Sequence, residues 1–374
     1  QHDFPRDKIC GDALIPDAHA ALRRLGVLDE VLAQAIPVAG VRCVAPRGGQ
    51  VDVPGTVAVL PRKVLDHLLV QHAQRAGVRL MTPLRFVAPL LTGERVVGAQ
   101  FQSDRNTREI CEIRARWVVL ATGAVPQAMI AAGLCERQTP SGVALRAYVQ
   151  HDGLAADFSH LQMIWHGRLR GGYGWIFPGP GGLFNIGAGL TGSHLQQASG
   201  RHKGKGRMQD VNLRQMFNDL CDLNPTAREL VRNGRMQGGL KGAPLRCSLQ
   251  GAKPSRPGLL ATGEAIGSTY AFSGEGIGKA LETGLLTADA ILNGADDEAA
   301  VRADHAAALM TLKPQFDLYE TASHVNFHPW IADVVVWRAR RSARIRERLS
   351  AILEETQNPG RLFSLRGVRK LLTE

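Results

Sequence analysis

An acidic side chain followed by closely spaced glycines comes directly after the apolar run at residues 259–261. The acid is Glu264, and Gly274, Gly276 and Gly278 then lead into a stretch whose apolar residues have helical spacing. Glycines allow backbone N–H groups to approach an anion, and the start of a helix adds the positive end of its dipole. The spacing therefore predicts a nucleotide-binding turn between a strand and a helix. The alternative is a glycine-rich turn that binds nothing.

Three aromatic side chains alternate in the segment 172–178. Tyr173, Trp175 and Phe177 are two residues apart, so on a strand they face the same side. Aromatic residues make up only 5% of the chain, which makes the cluster unusual. It predicts an apolar slot that suits a hydrocarbon chain better than a small polar acid. The alternative is an ordinary core strand.

Metal and hydrolytic chemistry have less support. His324 and His328 have the i, i+4 spacing of metal ligands on a helix, but no third ligand is evident, so we predict no metal site. The six cysteines are scattered without a C-x-x-C pair, which fits a reducing cytoplasm rather than a zinc site or a disulfide framework. Ser-His-Asp and P-loop patterns are absent from the sequence.

Much of the net charge of +11 is concentrated toward the end of the chain. Residues 337–348 form a dense basic run in a predicted helix, and residues 363–372 form a second basic segment. Basic amphipathic stretches bind anionic membranes or nucleic acids, or they are solvated faces of packed helices. Since no nucleic-acid-binding fold accompanies the charge, we predict no nucleic-acid partner.

The remaining pattern is that of an α/β protein. The 374 residues are 44% hydrophobic, and no apolar run approaches the ~18 residues of a membrane span. Apolar spacing predicts helices at 18–25 and 65–76, strands within 41–59 and a short strand at 78–81. We expect a cytoplasmic protein that has peripheral membrane contact in addition.

Four segments together resemble, in the expected order, the geranylgeranyl reductase family of FAD-dependent oxidoreductases, which share the p-hydroxybenzoate hydroxylase fold. The first runs from Phe4 to Asp12 and contains Pro-Arg-x-Lys-x-Cys-Gly. The others are residues 61–66, residues 173–178 with Tyr-x-Trp-x-Phe-Pro, and the glycine-rich residues 262–280. One such motif is weak support, whereas four in order are fairly specific.

The resemblance implies a fold class and a division into domains. The fold is α/β, with a Rossmann-like FAD-binding domain, a β-rich substrate domain and a helical C-terminal region. The FAD-binding domain is expected in two parts, 1–140 and 258–303. The substrate domain is expected at 141–257 and the helical, basic region at 304–374.

The resemblance also implies roles for residues. The family's cofactor-binding residues map onto Arg6, Arg62, Gly123, Gly263, Glu264, Gly274, Gly276 and Ile277. Cys10 is the candidate catalytic group near the reacting carbon, together with Lys8, because a nearby ammonium lowers the pKa of a thiol. The alternative is that Cys10 is a small packed residue in a glycine turn. Tyr173, Trp175 and Phe177 are the expected substrate-binding residues.

The implied reaction is the reduction of carbon–carbon double bonds in a geranylgeranyl-type isoprenoid lipid. FAD supplies the hydride, and NAD(P)H or a reduced ferredoxin supplies the electrons. Such substrates favour a membrane surface as the partner of the basic segments. Flavin-dependent monooxygenases and halogenases share the fold and are the alternative. Halogenases carry Trp-x-Trp-x-Ile-Pro, which residues 173–178 match only in part.

The sequence departs from the family in three places. Glu264 stands where Asp is usual, and Thr122 replaces an acid beside Gly123, which weakens the case for ordinary nicotinamide docking. The strand, G-x-G-x-x-G turn and helix that hold the ADP half of FAD do not precede Phe4. We therefore expect an N-terminally incomplete chain that binds FAD poorly by itself. A truncated, non-enzymatic remnant is the third alternative.

Overall fold

A computed structural model describes residues 2–103, 110–192, 212–357 and Gly367. Within these ranges the strands form one sheet of eight strands and two of three. The order in the large sheet is β1 (Ala13–Leu14), β3 (Gln50–Val59), β2 (Ile36–Val44), β9 (Leu161–Ile164), β10 (Gly172–Pro178), β11 (Leu183–Thr191), β8 (Gly142–Gln150) and β12 (Arg235–Leu245). Neighbours are antiparallel except β2 and β9, which pair in parallel with Val41 opposite Leu161.

Two smaller sheets lie outside the large one. The first has the order β13 (Ser255–Arg256), β14 (Leu259–Ala261) and β7 (Val118–Leu120), and β14 and β7 run in parallel with Ala261 opposite Leu120. The second is an antiparallel meander of β4 (Leu84–Thr92), β5 (Arg95–Ser103) and β6 (Ile110–Arg114). The parallel pair places the turns that follow β7 and β14 side by side.

The helices of the described ranges surround these sheets. They are α1 (Pro16–Arg24), α2 (Leu28–Leu32), α3 (Arg62–Arg75), α4 (Gln127–Ala131), α5 (Asp152–Ala155), α6 (Leu213–Leu223), α7 (Pro225–Asn233), α8 (Ile277–Gly294), α9 (Glu298–Ala322), α10 (His324–Phe327), α11 (Trp330–Ala339) and α12 (Ala343–Leu353). Asn224, Asp297 and Ser342 start α7, α9 and α12 by accepting a backbone N–H three residues on. No helix in these ranges is long and apolar enough to cross a membrane.

Helices cover one face of the large sheet and part of its edge. Phe217 and Leu220 of α6 and Leu230 of α7 pack on Ile176 and Ile186 of the central strands. The helices α11 and α12 pack on β2 and β3. The buried apolar residues of this contact are Ala45, Val51, Val53, Ile331, Val335 and Ile345. The central strands are therefore buried against helices on one side and free to form a site on the other.

The large sheet crosses the expected domain boundary at residue 140. Strands β1, β2 and β3 belong to the part of the chain assigned to the FAD-binding domain, yet they continue the sheet of β8 to β12. The division at 1–140, 141–257, 258–303 and 304–374 stays a prediction. What the topology shows is that the first sixty residues and the β-rich segment share one hydrogen-bonded layer.

The local predictions are mostly confirmed, with four corrections. The basic run 337–348 does not lie in one helix, because α11 ends at Ala339 and α12 begins at Ala343. The predicted strand at 78–81 is wrong, because Val78, Leu80 and Met81 are exposed and no strand pairs with them in the described structure. Helix α3 begins at Arg62, which places Asp66 in its second turn. Helix α10 ends at Phe327, so His328 lies beyond it. Apart from Gly367, the second basic segment at 363–372 lies outside the described residues.

Candidate functional site

A cavity of about 410 Å³ opens on the face of the large sheet that the helices α6 and α7 leave free. Its walls come from the N-terminal segment, from β10, from the turns after β7 and β14, and from the loop before α8. All the residues that the sequence predicted for the site line it, namely Arg6, Lys8, Cys10, Arg62, Gly123, Tyr173, Trp175, Phe177, Gly263, Glu264, Gly274, Gly276 and Ile277. The structure thus brings five separate sequence segments together.

Alternation along β10 builds an aromatic wall of the cavity. Tyr173, Trp175 and Phe177 point to the cavity, with ring centroids 6.3 Å and 6.4 Å apart along the row. Gly174 points the opposite way, and a Cβ there would lie 2.5 Å from the Leu220 side chain. The small residue lets helix α6 approach the back of the strand. The hydroxyl of Tyr173 donates to the carbonyl of Ser273, which ties the wall to the loop before α8.

A buried polar network holds the aromatic wall against the N-terminal segment. The indole of Trp175 donates to Asn185 Oδ1 at 3.0 Å, and Asn185 Nδ2 donates to the Cys10 carbonyl at 2.6 Å and to Asp12 Oδ2 at 2.7 Å. Tyr148 also donates to Asp12, at 2.5 Å. Burial raises the pKa of Asp12, and these hydrogen bonds act against that rise. The network fixes Cys10 and Trp175 relative to each other.

The cations of the site are each held by a carboxylate. Arg62 makes a bidentate contact with Asp66 at 2.6 Å and 3.0 Å, and Arg6 reaches the same carboxylate at 3.2 Å. Lys8 Nζ lies 3.8 Å from Glu264 Oε2. Burial opposes the charge on Arg62, but the neighbouring Cys10 and Asp66 raise its pKa. Lys8 therefore pairs with Glu264, and the Arg62 guanidinium lies beside Cys10.

The two turns after the parallel strands form a glycine-lined shelf in the cavity. Gly123 has φ +74° and Gly263 has φ +67°, the left-handed region that favours glycine. A Cβ at Gly123 would meet no atom of the described residues within 4 Å, so these residues leave the space beside it open. The carboxylate of Glu264 accepts from Thr269 Oγ1 at 3.2 Å. Carboxyl ends of parallel strands are a common place for nucleotide ligands.

The residues of this shelf fit a polar cofactor. Gly276 precedes α8 and lines the cavity, and no side chain of the described residues caps that helix, so its first N–H groups lack a side-chain acceptor there. The buried hydroxyl of Thr262 lines the cavity and has no hydrogen-bond partner within the described part of the chain. An unpaired buried hydroxyl beside an uncapped helix start and an open glycine turn is suited to a ligand with phosphate and hydroxyl groups.

A buried charge cluster supports the start of α8. Lys279 is only 4% exposed, and its ammonium lies 2.9 Å from Glu282, 3.0 Å from Glu355 and 3.7 Å from Asp17. Burial raises the pKa of Asp17 to about 7, and the negative charge of Glu355 adds to that rise. Burial likewise raises the pKa of Glu275, which lines the cavity, to about 8. The cluster joins α1, α8 and the residues after α12.

The C-terminal helices contact the site at two points. Asn326 accepts from the indole of Trp165 at 2.9 Å and donates to the Phe272 carbonyl at 3.2 Å, next to the loop before α8. Leu353, the last residue of α12, lines the cavity. Asn326 and Leu353 therefore connect the arm formed by α10, α11 and α12 to the site.

Sequence reasoning missed three members of the polar network and offered weak signals for them. Asp12 directly follows the Cys10-Gly11 motif, and Asn185 is the polar residue in an otherwise apolar strand. Tyr148 carries no signal of its own, because its contact with Asp12 joins distant parts of the chain. Within the described residues, no three His, Cys, Asp or Glu side chains are grouped to hold a metal ion.

Comparison with known proteins identifies relatives by sequence. The menaquinone reductase of Mycobacterium tuberculosis is 30% identical over 305 residues, which cover 76% of this chain and 68% of that protein. The digeranylgeranylglycerophospholipid reductase of Methanosarcina acetivorans is 26% identical over 258 residues, covering 67% of this chain and 58% of that protein. No protein-family model matches the chain.

Solved structures show the same fold at lower identity. A geranylgeranyl bacteriochlorophyll reductase-like protein from Thermoplasma acidophilum has a TM-score of 0.68 at 18% identity, covering 100% of this chain and 87% of that one. The flavin-dependent brominase Bmp2 has a TM-score of 0.71 at 16% identity, covering 100% and 89%. These likenesses confirm the predicted fold class, an FAD-binding α/β fold with a β-rich part.

The sequence relatives and the fold together decide the family. The relatives are named reductases, and the structural neighbours are flavin-dependent enzymes of the predicted fold. The predicted enzyme class and the predicted cofactor, FAD, are thereby confirmed. With 30% identity across more than two thirds of the mycobacterial protein, the chain belongs to the geranylgeranyl reductase family of FAD-dependent oxidoreductases.

Proposed function

We propose that this protein reduces carbon–carbon double bonds in the chain of an isoprenoid lipid. The observation that carries the proposal is the aromatic wall of Tyr173, Trp175 and Phe177, which lines the same cavity as Cys10 and the glycine turns. Such a wall offers apolar surface to a prenyl chain along the whole row. The names of the relatives, menaquinone reductase and digeranylgeranylglycerophospholipid reductase, support the coarser reading of a reductase for an isoprenoid-like substrate.

The glycine shelf is the proposed place of FAD. Gly123 and Gly263 would admit the cofactor close to the backbone, and Glu264 would accept from its hydroxyls. The N–H groups at Gly274, Gly276 and Ile277 would bind its phosphates, and Arg6 and Arg62 line the same cavity. When bound, reduced FAD supplies a hydride to one carbon of the double bond. The second carbon needs a proton.

The protein's own groups would supply that proton. Cys10 is our candidate for the group beside the reacting carbon, because its carbonyl is fixed by Asn185 and its thiol lies beside Arg62. Lys8, placed against Glu264, would orient the acid that contacts the cofactor and would not act on the thiol directly. Trp175 closes the apolar side, where it would keep water away from the double bond.

The ion pairs of the cavity favour an uncharged head group. Arg6 and Arg62 share Asp66, Lys8 faces Glu264, and Arg146 contacts Asp7. A diphosphate or phosphoglycerol head would have to compete with these carboxylates. We therefore favour an isoprenoid quinone, as in the name of the mycobacterial relative, over an anionic phospholipid.

The test is anaerobic reoxidation by menaquinone of the reduced protein, kept loaded with excess FAD because we expect weak cofactor binding, with a digeranylgeranyl phospholipid as the second substrate. We expect menaquinone to reoxidise the flavin and to gain two hydrogens per turnover in its side chain while the quinone ring stays oxidised. NAD(P)H and a reduced ferredoxin, compared as electron donors, identify the reductant. Mass spectrometry of side-chain fragments separates chain reduction from ring reduction. Reduction of the ring alone would contradict the proposal.

A variant pair tests the aromatic wall in the same assay. Trp175→Ala should lose the anaerobic activity and keep its flavin, because the indole lines the cavity on the side of the wall. Trp117→Ala is the matched control, since Trp117 does not line the cavity. If no prenyl lipid reoxidises the flavin without oxygen while an aromatic substrate triggers oxygen-dependent turnover, the protein is a monooxygenase or halogenase instead.

A further inference from the structure

Helix α11 exposes two tryptophans on one face. Trp330 is 51% exposed and Trp337 is 45% exposed, whereas Ile331, Val335 and Val336 on the other face are buried. Seven residues make almost two helical turns, so the two indoles lie in line and about 10 Å apart along the axis. A group of large apolar side chains that are this exposed indicates a surface that binds a partner or a membrane.

Exposed arginines adjoin the two tryptophans. Arg340 and Arg341 follow at the end of α11, and Arg344 lies in the first turn of α12; all three are exposed. The Arg341 guanidinium stacks over the Trp337 ring at 4.8 Å. Three further arginines of the same run, Arg338, Arg346 and Arg348, are half-buried. The acids nearby are Asp333, which faces Arg47, and the exposed Glu347.

We propose that Trp330, Trp337, Arg340, Arg341 and Arg344, here called the Trp–Arg surface, dock on the surface of an anionic lipid bilayer. Indole rings prefer the boundary between lipid head groups and acyl chains, and arginines beside them pair with lipid phosphates. The charge of this surface is complementary to an anionic membrane. The buried face of α11 holds the helix on the protein, so the helix lies flat on the bilayer and does not enter it.

The surface and the cavity belong to the same arm. Helix α12 begins at Ala343, next to the exposed arginines, and ends at Leu353, which lines the cavity about 15 Å further along the helix. Docking would therefore place the end of α12 within one helix length of the membrane. The membrane contact stands by itself, and only its link to substrate supply rests on the proposed function.

Co-sedimentation with vesicles tests the docking. We expect the FAD-loaded protein to bind vesicles of mixed phosphatidylglycerol and phosphatidylcholine at low salt, and to bind pure phosphatidylcholine poorly. Replacing Arg340, Arg341 and Arg344 with Ala should lower the affinity for the mixed vesicles about 100-fold, since each arginine near the surface contributes about fivefold. The matched control replaces three exposed arginines elsewhere, Arg79, Arg114 and Arg235, and should bind almost as well as the wild type.

A second variant separates the apolar contribution to vesicle binding from the electrostatic one. Trp330→Ala with Trp337→Ala should weaken vesicle binding roughly tenfold even at raised salt, because the apolar part of the contact is not screened. Leu292→Ala with Met310→Ala, at two other exposed apolar positions, is its control. Equal binding of the arginine variant and its control would overturn the proposal. So would a tryptophan variant that only converts a dimer into a monomer, since the surface would then bind a second copy of the chain.

The same variants distinguish this proposal from the proposed function. With a substrate dissolved in detergent, the Trp–Arg surface variants should keep wild-type turnover, and with substrate in vesicles their turnover should fall. Vesicle binding without any prenyl reduction would refute the proposed function and leave the docking surface intact. Reduction at wild-type rate from vesicles by the arginine variant would refute the link between docking and substrate supply.

Discussion

Replacing Lys279 with Met should destabilise the protein by about 3–5 kcal/mol, the usual effect of removing one partner from a buried ion cluster. The ammonium lies within 3.0 Å of Glu282 and Glu355 and 3.7 Å from Asp17, and the methionine leaves these carboxylates facing each other. The entropy of unfolding is roughly 2.1 cal/mol/K per residue, so for a chain of 374 residues that unfolds as one unit the loss lowers Tm by about 4–6 °C.

The pH dependence of the loss gives a sharper test than its size. Burial raises the pKa of Asp17 to about 7, so the folded state keeps a proton that the unfolded state releases near pH 4. This proton adds to the free energy of unfolding at low pH, and its contribution is lost as the pH rises from 4 to 7. Lys279 lowers the pKa of Asp17, so without this cation Asp17 keeps its proton to higher pH. The Tm gap between wild type and Lys279→Met should therefore be small at pH 5 and largest above pH 8.

Differential scanning fluorimetry from pH 5 to pH 9 measures the gap. Lys313→Met is the matched control, because Lys313 pairs with a single carboxylate, Asp317, on the outer side of α9. Its removal should change stability by at most about 0.5 kcal/mol. Two results would refute the reasoning about the buried cluster: a Tm gap for Lys279→Met that stays constant across this range, or a gap below about 1 °C at pH 8, which is a quarter or less of the predicted loss.

Three further predictions concern single residues. Glu264→Ala should weaken FAD binding by about 1–3 kcal/mol, and Glu264→Asp should be milder; a titration with unchanged affinity for the Ala variant would place the cofactor elsewhere. Burial lowers the pKa of His305 to about 4 in the folded state, whereas the imidazole of the unfolded chain has a pKa of about 6.5. The free energy of unfolding should therefore fall as the pH drops below 6.5, by about 2–3 kcal/mol at pH 4.5. Urea unfolding of His305→Leu should lack that loss. Asn185→Leu should reduce stability by about 2–3 kcal/mol, because Trp175 Nε1 loses its acceptor; no change in urea midpoint would contradict this.

Local patterns predicted the parts of the site that lie within one segment. The period of two fixed the side on which Tyr173, Trp175 and Phe177 project, and the strand, turn and helix around Glu264 follow from glycine spacing. These features depend on neighbours in the chain, which is why periodicity detects them. The aromatic row and the glycine turns are far apart in the chain, and the structure places them in one cavity.

Contacts between distant segments were beyond local patterns. Lys8 was expected to act on Cys10, but residues 5–9 form neither helix nor strand, so spacing does not tell where the lysine points. Asn185 and Asp12 are joined only after β11 lies beside the N-terminal segment. The composition of residues 78–81 is typical of a strand, but they have no pairing partner among the described residues, which composition cannot show.

The parallel pair of β2 and β9 has a consequence for how the chain folds during synthesis. Val41 pairs with Leu161, more than a hundred residues later, whereas β10 pairs with its neighbours in sequence, β9 and β11. Contacts of long sequence separation form late because loop closure must come first. The β2 edge of the hairpin of β2 and β3 therefore stays unpaired during synthesis until β9 has left the ribosome. In that interval the nascent chain is exposed to aggregation and to chaperones.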